Sequence, residues 1–437
     1  MEMSLSDAVS ESVNQQREMV EKLFEQIAEA SRGDPGITRA PYGPDETFAH
    51  NVMSARAADL GLEIRTDAAA NTYMTLPGRD RALPPIITGS HLDSVARGGN
   101  FDGAAGVLAG LTAIAAIKKM GLTPARDITV MSIRAEESVW FQVSYLGSRG
   151  ALGMLPDGAL DVRRVDSGRT LAEHIAECGG DPDALRRGER YLDPAKIHAF
   201  VEVHIEQARS LVEANVPVGL CTGIPGNFRY PNARILGRHD HVGTPRRFRQ
   251  DAMMAAADIA MTLDRIWQDN ESAGRPMAVT FGRFHTDISV HGMTTIPGEF
   301  RFSLDVRAYA PEVVSDVEAR FHAAIKEIEQ RRRVTFELGS RAEAGVGEVS
   351  PNILRGLEAA AATLDIPTML LGSPASHDAA AFAKAGVPMG MLFVRNENGS
   401  HNPEEAMDIG DLLDAASVLT HWLVTETSNG NVAHERV

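Results

Sequence analysis

The stretch Pro84-Pro-Ile-Ile-Thr-Gly-Ser-His91 decides the fold class, because a short apolar run ends there in a histidine. Its apolar part, 85–88, is followed along the chain by similar runs that alternate with helical patterns. The similar runs lie at 128–133, 199–203 and 389–394, and the clearest helical pattern at 103–119. Strands that are apolar on both faces and separated by helices are typical of a buried, largely parallel sheet. The sequence therefore predicts an α/β fold.

A different pattern begins near Asn227 and ends near Ala344. The predicted order there is strand 230–236, helix 250–268, strand 277–284, strand 298–308, helix 311–331 and strand 334–338. This βαββαβ order predicts a separate α+β domain inserted into the first. The expected division is thus 1–226 and 345–437 for the α/β domain and 227–344 for the inserted one. Further helices are predicted at 12–32, 47–60 and 351–364, with a frayed tail after Thr425.

The composition is that of a globular chain long enough for two or three domains: of 437 residues, 43% are hydrophobic and 23% charged. The 43 Lys and Arg against 59 Asp and Glu leave a formal net charge of −16, which repels a phosphate backbone and an anionic membrane surface. The sequence has no 18-residue apolar run and no readable signal peptide, and its two cysteines lie in no CxxC spacing. We therefore expect a cytoplasmic protein that binds neither nucleic acid nor membranes.

Candidate ligands follow four of the predicted strands. His91 ends the first, Glu136 and Glu137 follow the second, His204 ends the third, and His401 lies in the loop after the fourth. Sites in open α/β sheets form at the carboxyl ends of strands, and imidazole suits Zn²⁺ or Mn²⁺. A single histidine in such a place is more often an ordinary hydrogen-bonded residue. The conjunction of four strand ends is what indicates a metal site.

The acidic residues around these histidines fit the same interpretation. Asp93, two residues after His91, can accept the other ring N–H and fix the tautomer from the second shell of the site. Asp102 enters the next helix, and its two oxygens can bridge two cations. Adjacent carboxylates on an extended backbone point to opposite sides. One of Glu136 and Glu137 can therefore bind a metal while the other faces the substrate and holds a water.

Some of these segments also have other interpretations. The glycine-rich segment 98–103 resembles a phosphate-binding loop but lacks its lysine and full glycine spacing. Pro403-Glu404-Glu405 resembles a helix start, and His377 lies in an N-cap-like position where structural and substrate-binding roles are equally supported. The chain has no G-x-S-x-G nucleophile elbow and no G-x-G-x-x-G after a strand. These absences disfavour a serine hydrolase and a nicotinamide dehydrogenase.

The chain also resembles a known family. The likeness is carried, in order between about Asp45 and Leu423, by GSHLDSVARGGNFDGAAGVLAGL, AEESVWFQVSYLGSR, VEVHIEQARSLVEANVPVGLCTGI, TIPGEFRFSLDVR, ASHDAAAFA and NGSHNPEE. These stretches resemble the amidase, hydantoinase/carbamoylase family, which includes N-carbamoyl-L-amino-acid hydrolases, β-ureidopropionase and allantoate amidohydrolase. That family lies within the aminoacylase and carboxypeptidase-G superfamily of dinuclear metallohydrolases. The resemblance implies a zinc-peptidase-like catalytic domain with a mixed, largely parallel sheet, and a lid domain that forms a homodimer interface.

The resemblance further implies two divalent metal ions per chain, Zn²⁺ or Mn²⁺, with Co²⁺ and Ni²⁺ as further candidates. One ion would be bound by His91 and His204, the other by Glu137 and His401, with Asp102 as the bridge. Glu136 would be the general base. The residues expected to contact substrate or stabilise the transition state are Gln207, His241, Arg307 and His377. Among these, Arg307 would hold a substrate carboxylate through a bidentate contact.

This chain departs from the family pattern in the substrate shell. Trp140 stands where the family has an arginine, and Thr294 where it has an asparagine. We interpret both as substrate-binding, which predicts an apolar pocket that accepts allantoate poorly. The alternative is that Trp140 only packs beneath the loop of Glu136. The loop after His241 is also one residue shorter, and Ser376 replaces a glycine, while all five metal positions match.

These features predict a metal-dependent hydrolase of C–N bonds in linear amides or ureido compounds. The first hypothesis is an N-carbamoyl-L-amino acid hydrolase, which releases amino acid, CO₂ and ammonia from a small carboxylate-bearing substrate. The alternatives are an N-acyl amino acid amidohydrolase or dipeptidase, and an allantoate amidohydrolase. A non-catalytic metal-binding protein is disfavoured by Glu136, since a structural site needs no spare carboxylate beside its ligands.

Overall fold

The computed structural model describes residues 4–428. Its helices are α1 (Leu5–Asn14), α2 (Arg17–Ser31), α3 (Pro44–Asp59), α4 (Ala104–Lys119), α5 (Ser138–Phe141), α6 (Leu146–Ala151), α7 (Leu171–Glu177), α8 (Pro182–Arg186), α9 (Ser210–Ala214), α10 (Ala252–Ser272), α11 (Pro311–Arg332), α12 (Pro351–Thr363), α13 (Asp378–Lys384) and α14 (Ile409–Ser428). Its strands are β1 (Glu63–Thr66), β2 (Thr72–Leu76), β3 (Ile86–His91), β4 (Ile128–Ile133), β5 (Ala199–Ile205), β6 (Val218–Cys221), β7 (Gly226–Leu236), β8 (Asp240–His241), β9 (Met277–Thr286), β10 (Thr295–Ile296), β11 (Glu299–Ala308), β12 (Thr335–Glu337), β13 (Ala342–Ala344), β14 (Thr368–Leu371), β15 (Met389–Val394), β16 (Asn396–Glu397) and β17 (Ala406–Met407).

The chain forms two compact units. The larger comprises residues up to Thr222 and from Glu348 onward, and the smaller is Gly223–Gly347. An eight-stranded sheet of order β1-β2-β4-β3-β5-β15-β6-β14 organises the larger unit. Its central strands β4, β3, β5 and β15 are parallel neighbours, whereas β1, β2 and β6 pair antiparallel with a neighbour. This mixed, largely parallel α/β sheet confirms the predicted fold class.

Helix α4 forms the centre of the larger core. Its residues from Ala104 to Ile117 are all buried, because small and apolar side chains on every face let it lie between strands β3 and β5 and helix α14. A helix that is apolar all round is stable only in such a buried place. Within the described residues, no helix is long and apolar enough to cross a membrane.

The smaller unit is a sheet of order β12-β7-β11-β9, with β13 also paired to β7 and every pairing antiparallel. Helices α10 and α11 pack against each other and against this sheet. Alternation along β11, where Phe300, Phe302, Leu304 and Val306 are buried, directs one face of the sheet to the helices. The predicted α+β order βαββαβ is confirmed, with three short strands added.

Three local predictions are wrong. The helix predicted at 12–32 is two helices, because α1 packs mainly against α4 and α14 whereas α2 packs mainly against α3. Pro403-Glu404-Glu405 is not a helix start but a turn that leads into β17, held by contacts from distant loops. Helix α14 continues past Thr425 to Ser428, and the rest of the predicted frayed tail lies outside the described residues.

Candidate metal centre

The parallel strands bring the predicted ligands to one edge of the larger sheet. His91 is the last residue of β3, His204 is the last but one of β5, and Glu137 follows β4. His401 lies in the loop after β15 and β16. Since β4, β3, β5 and β15 are parallel neighbours, their carboxyl ends meet at the same edge.

Two groups of side chains there could hold metal ions, and they share one carboxylate. The first group is His91, Asp102 and His204, and the second is Asp102, Glu137 and His401. In the first, Asp102 Oδ1 lies 3.1 Å from His204 Nε2 and 3.5 Å from His91 Nε2, and the two imidazole nitrogens are 3.4 Å apart. In the second, His401 Nε2 lies 3.4 Å from Asp102 Oδ2 and 3.2 Å from Glu137 Oε1.

These separations fit a divalent cation. Tetrahedral bonds of about 2.0–2.1 Å place neighbouring ligand atoms about 3.3 Å apart. Asp102 Oδ1 is also buried without a hydrogen-bond partner among the described residues. A buried carboxylate oxygen is costly without a positive partner, so its place between two imidazole nitrogens favours either protons on those rings or a bound cation.

The tautomers of the buried histidines also fit a metal site. His91 Nδ1 lies 3.0 Å from the backbone oxygen of Asp93, and His204 Nδ1 lies 2.9 Å from that of Ile205. A carbonyl oxygen only accepts, so each Nδ1 donates, and Nε2 is the ring nitrogen that faces Asp102 and can bind a cation once it carries no proton. Gly103 makes room for this arrangement, because a Cβ there would lie 2.5 Å from the His91 ring.

The charges of the cluster also favour a cation. Burial disfavours the charged form of Asp102, but the imidazoles of His204, His401 and His91 outweigh it and hold the pKa of its carboxyl well below the ordinary value. Hydrogen bonds with Asp102 and Glu137 raise the pKa of His401 to about 11. Without a metal, the carboxylates therefore keep protons on the imidazoles. A divalent cation can replace those protons as the positive partner.

Asp93 links the first ligand to the Glu136-Glu137 turn. Its Oδ1 accepts from the backbone N–H of Glu136 at 3.0 Å, and its Oδ2 accepts from that of Glu137 at 3.1 Å. His91 Nδ1 also lies 3.3 Å from Asp93 Oδ1. Burial raises the pKa of Glu136 well above its ordinary value, and the carboxylates of Glu137, Asp378 and Asp93 add to the effect. A carboxylate in this environment holds a proton more readily near neutral pH.

Two buried arginines that the sequence does not predict hold the loops of the metal centre through hydrogen bonds. Arg134 donates to Glu46 at 2.6 Å, and Glu46 accepts from the backbone N–H of Ala135 at 3.1 Å, just before the Glu136-Glu137 turn. Arg39 donates to the backbone oxygen of Leu92 at 2.8 Å and to Asn100 Oδ1 at 2.9 Å. It thereby spans the loop between the first histidine and Asp102. No sequence signal identifies these residues, since their partners are tens of positions away.

The predicted substrate residues of the larger unit have different surroundings. Gln207 Nε2 donates to Asp102 Oδ2 at 2.8 Å, and its Oε1 is buried without a partner among the described residues. The ring of His377 lies 4.4 Å from that of His204, and burial together with His204 holds the pKa of His377 well below its ordinary value. Trp140 is buried in a small apolar cluster, where its Nε1 donates to the backbone oxygen of Ser94 at 2.8 Å. This is the arrangement of the packing alternative.

The remaining predicted residues lie in the smaller unit. His241, in β8, is exposed and pairs in register with Thr295 of β10, next to the exposed Thr294. Arg307, in β11, donates from Nε to Asp305 Oδ1 at 2.9 Å. Asp305 also accepts from Arg229 at 2.6 Å. One carboxylate therefore lies between two guanidinium groups and leaves a net positive charge there.

Comparisons with known proteins point in one direction. A profile of peptidase family M20/M25/M40 matches residues 87–425. The N-carbamoyl-L-amino acid amidohydrolase of Geobacillus stearothermophilus is 33% identical over 92% of this chain and 97% of its own length. The allantoate amidohydrolase of Escherichia coli is 29% identical over 89% of this chain and 92% of its own length. In fold, an amidase of the hydantoinase/carbamoylase family from Burkholderia multivorans matches with a TM-score of 0.81, covering 94% of this chain and 98% of its own at 24% identity. The chain therefore belongs to peptidase family M20/M25/M40, as its amidase, hydantoinase/carbamoylase motifs predicted.

Proposed function

We propose that the protein is a dinuclear metal-dependent amidohydrolase that hydrolyses N-carbamoyl-L-amino acids to the amino acid, CO₂ and ammonia. The observation that carries the proposal is Asp102, whose two oxygens face two groups of ligand side chains beside Glu136. A carboxylate that faces two ligand groups is suited to bridging two cations that lie close together. The relatives named for this reaction, which match nearly the whole chain, support the choice of substrate.

We assign His91 and His204 to one cation, Glu137 and His401 to the other, and Asp102 to both. Bound divalent cations would supply Lewis-acid chemistry, which lowers the pKa of water and polarises a carbonyl group. Zn²⁺ and Mn²⁺ both suit this set of nitrogen and carboxylate ligands, as do Co²⁺ and Ni²⁺.

Glu136 would act as the general base. Its backbone N–H donates to the carboxylate of Asp93, which fixes the backbone, while its side chain is only half-buried. Because burial raises its pKa, it can take a proton from the attacking water and return it to the leaving nitrogen near neutral pH. His241 is our candidate for stabilising charge in the transition state.

We assign substrate contacts to the hydrogen-bonding groups of the remaining predicted residues. The buried Oε1 of Gln207 can accept from a ureido N–H. His377, neutral at pH 7 because of its lowered pKa, can donate a hydrogen bond without adding a charge. Arg307 would bind the substrate carboxylate, and the second guanidinium at Asp305 adds to the positive field. Thr294 and Trp140 are both predicted to contact the substrate. Because Trp140 is buried, we keep only Thr294 as a proposed substrate contact.

Allantoate is the second candidate substrate, because an allantoate amidohydrolase is also similar over most of its length. The reaction can be tested with metal-reconstituted protein on N-carbamoyl-L-amino acids, N-carbamoyl-β-alanine, allantoate and N-acetyl amino acids. We expect ammonia release with highest kcat/KM on an N-carbamoyl-L-amino acid. Faster hydrolysis of allantoate, or activity on N-acetyl substrates alone, would contradict the proposal.

We also propose a homodimer formed through the smaller unit. Within residues 4–428, strand β9 pairs only with β11 and leaves its outer edge open. Exposed apolar side chains lie on or just after it, at Phe284, Ile288, Val290 and Met293. Open edges and apolar patches of this kind are typical of interfaces. Light scattering after gel filtration should give twice the 47.1 kDa chain mass, and a monomer would contradict the interface.

A cytoplasmic location is consistent with the cysteines. Cys178 and Cys221 are not joined in a disulfide bond, as expected in a reducing compartment. Separation of cell fractions with an antibody to the protein would test the location.

A further inference from the structure

Glu405 is a buried acid that none of the assignments above uses. It lies four residues after His401, yet its side chain reaches the loop that carries Asp102. Its Oε1 accepts from the backbone N–H of Phe101 at 2.9 Å and from that of Asp102 at 3.2 Å. One carboxylate oxygen therefore fixes the backbone of the shared ligand across about 300 positions of sequence.

The other oxygen of Glu405 reaches the side chain of Asp102 through a hydroxyl. Ser400 Oγ lies 2.7 Å from Glu405 Oε2 and is also very close to Asp102 Oδ2, and its single hydrogen can be donated to only one of these two oxygens at a time. Asp102 Oδ2 is the oxygen that faces His401. Glu405 thus accepts directly from the backbone N–H of Asp102, and it shares the hydroxyl of Ser400 with the Asp102 side chain.

Space for this contact is kept free by a glycine. A Cβ on Gly99 would lie 2.1 Å from Glu405 Oε1 and 2.4 Å from its Cβ. The neighbouring acid Glu404 is exposed. Of two adjacent glutamates, only Glu405 is built into the loop of Asp102.

We propose that Glu405 is a positioning residue of the metal centre, which orients Asp102 so that each of its oxygens faces one ligand group. The inference rests on the proposed role of Asp102 as the shared ligand. Rotation of a shared carboxylate would disturb both groups at once. Outer partners of metal ligands are typically worth about tenfold to a hundredfold in metal affinity.

A competing explanation is that Glu405 attracts cations only by its negative charge. Glutamine separates the two explanations. Its amide oxygen can still accept from both backbone N–H groups, and its NH₂ can donate to Ser400 Oγ, which leaves the Ser400 hydrogen available to Asp102. If Glu405 orients Asp102 through hydrogen bonds, Glu405→Gln should keep the metal affinity. If Glu405 acts only through its charge, Glu405→Gln should weaken metal binding as much as Glu405→Ala does.

The test is titration of the metal-free full-length protein with Zn²⁺ or Mn²⁺ in competition with a chelator. We expect Glu405→Ala to weaken binding of both ions about tenfold to a hundredfold, with Glu405→Gln and the control Glu404→Ala within about threefold of the wild type. Circular dichroism of each metal-free variant checks that the fold is kept. Wild-type affinity in Glu405→Ala, or equal weakening in Glu405→Gln and Glu405→Ala, would overturn the proposal.

Two smaller changes keep the proposal testable if Glu405→Ala does not fold. Ser400→Ala removes only the hydroxyl link, and Gly99→Ala displaces the Glu405 side chain without altering it. We expect both to weaken metal binding, and wild-type affinity in both would refute the role of Glu405. A wild-type protein that itself binds no pair of ions would instead refute the proposed function, so the two failures are distinguishable.

Discussion

Replacing Gly103 with alanine should disturb the metal centre through one steric contact. Gly103 has φ 66° and ψ −50°, directly between Asp102 and helix α4. A Cβ there would lie 2.5 Å from Cε1 and Nε2 of His91, whereas ordinary contacts begin at 3.4 Å. The ring or the start of α4 must therefore move by about 0.9 Å in a close-packed interior.

A shift of that size exceeds the tolerance of about 0.2 Å in metal–ligand distances. We expect Gly103→Ala to weaken binding of the ion that we assign to His91 and His204 at least about tenfold and to lower kcat/KM about a hundredfold. Metal content after dialysis and the rate of ammonia release measure the two effects. The prediction is refuted if Gly103→Ala keeps both wild-type metal content and wild-type kcat/KM.

Gly121→Ala is the matched control. Gly121 also has a positive φ, 71°, but a Cβ there would meet nothing within 4 Å. It therefore reports the backbone strain alone, about 1–2 kcal/mol in urea unfolding. We expect its metal content and kcat/KM to remain those of the wild type.

Further changes should act on separate parts of the site. Glu136→Gln should keep both ions but lower kcat at least about a hundredfold, and full activity would exclude a general base there. Arg307→Lys should raise KM for carboxylate substrates more than for their amides, since a point charge cannot form the bidentate contact; equal effects would remove the carboxylate role. The pKa of His401 is raised to about 11, so metal binding at pH 7 should release protons and the apparent metal affinity should rise with pH. Titration calorimetry in buffers of different ionisation enthalpy measures the protons released. Binding without proton release would contradict this prediction. Trp140→Phe should lower the free energy of unfolding by about 1 kcal/mol, because the indole hydrogen bond is lost. The ratio of kcat/KM for allantoate to that for N-carbamoyl-L-phenylalanine should stay unchanged. A changed ratio would place the indole in the substrate pocket.

The parts of the fold that the sequence predicts are those with a local, periodic signal. Strands β3, β4, β5 and β15 are continuous apolar runs, and ligand-type residues follow each of them at the same edge of the sheet. The sequence does not predict the short strands β1, β2, β6 and β14, because brief strands at or near a sheet edge are specified by their partners rather than by their own pattern.

Residues that hold the site could not be predicted for a similar reason. Glu405 was interpreted as a helix start because Pro-Glu-Glu is a common local signal, whereas its partners Phe101 and Asp102 lie about 300 positions away. Trp140 was placed in the substrate pocket because of its type and position, but its indole N–H finds an acceptor in a loop that only the fold brings near. Contacts of high sequence separation leave no signal in a single sequence.

The measurement that tests the shared role of Asp102 most directly is the metal content of the reconstituted protein, compared between wild type and Asp102→Ala. Both oxygens of Asp102 face ligand groups, so removal of this one carboxylate should affect both ions. We predict two divalent ions per chain in the wild type and loss of both in Asp102→Ala, with the fold retained by circular dichroism. Two ions per chain in the variant, or a single ion in the wild type, would contradict a dinuclear centre bridged by Asp102.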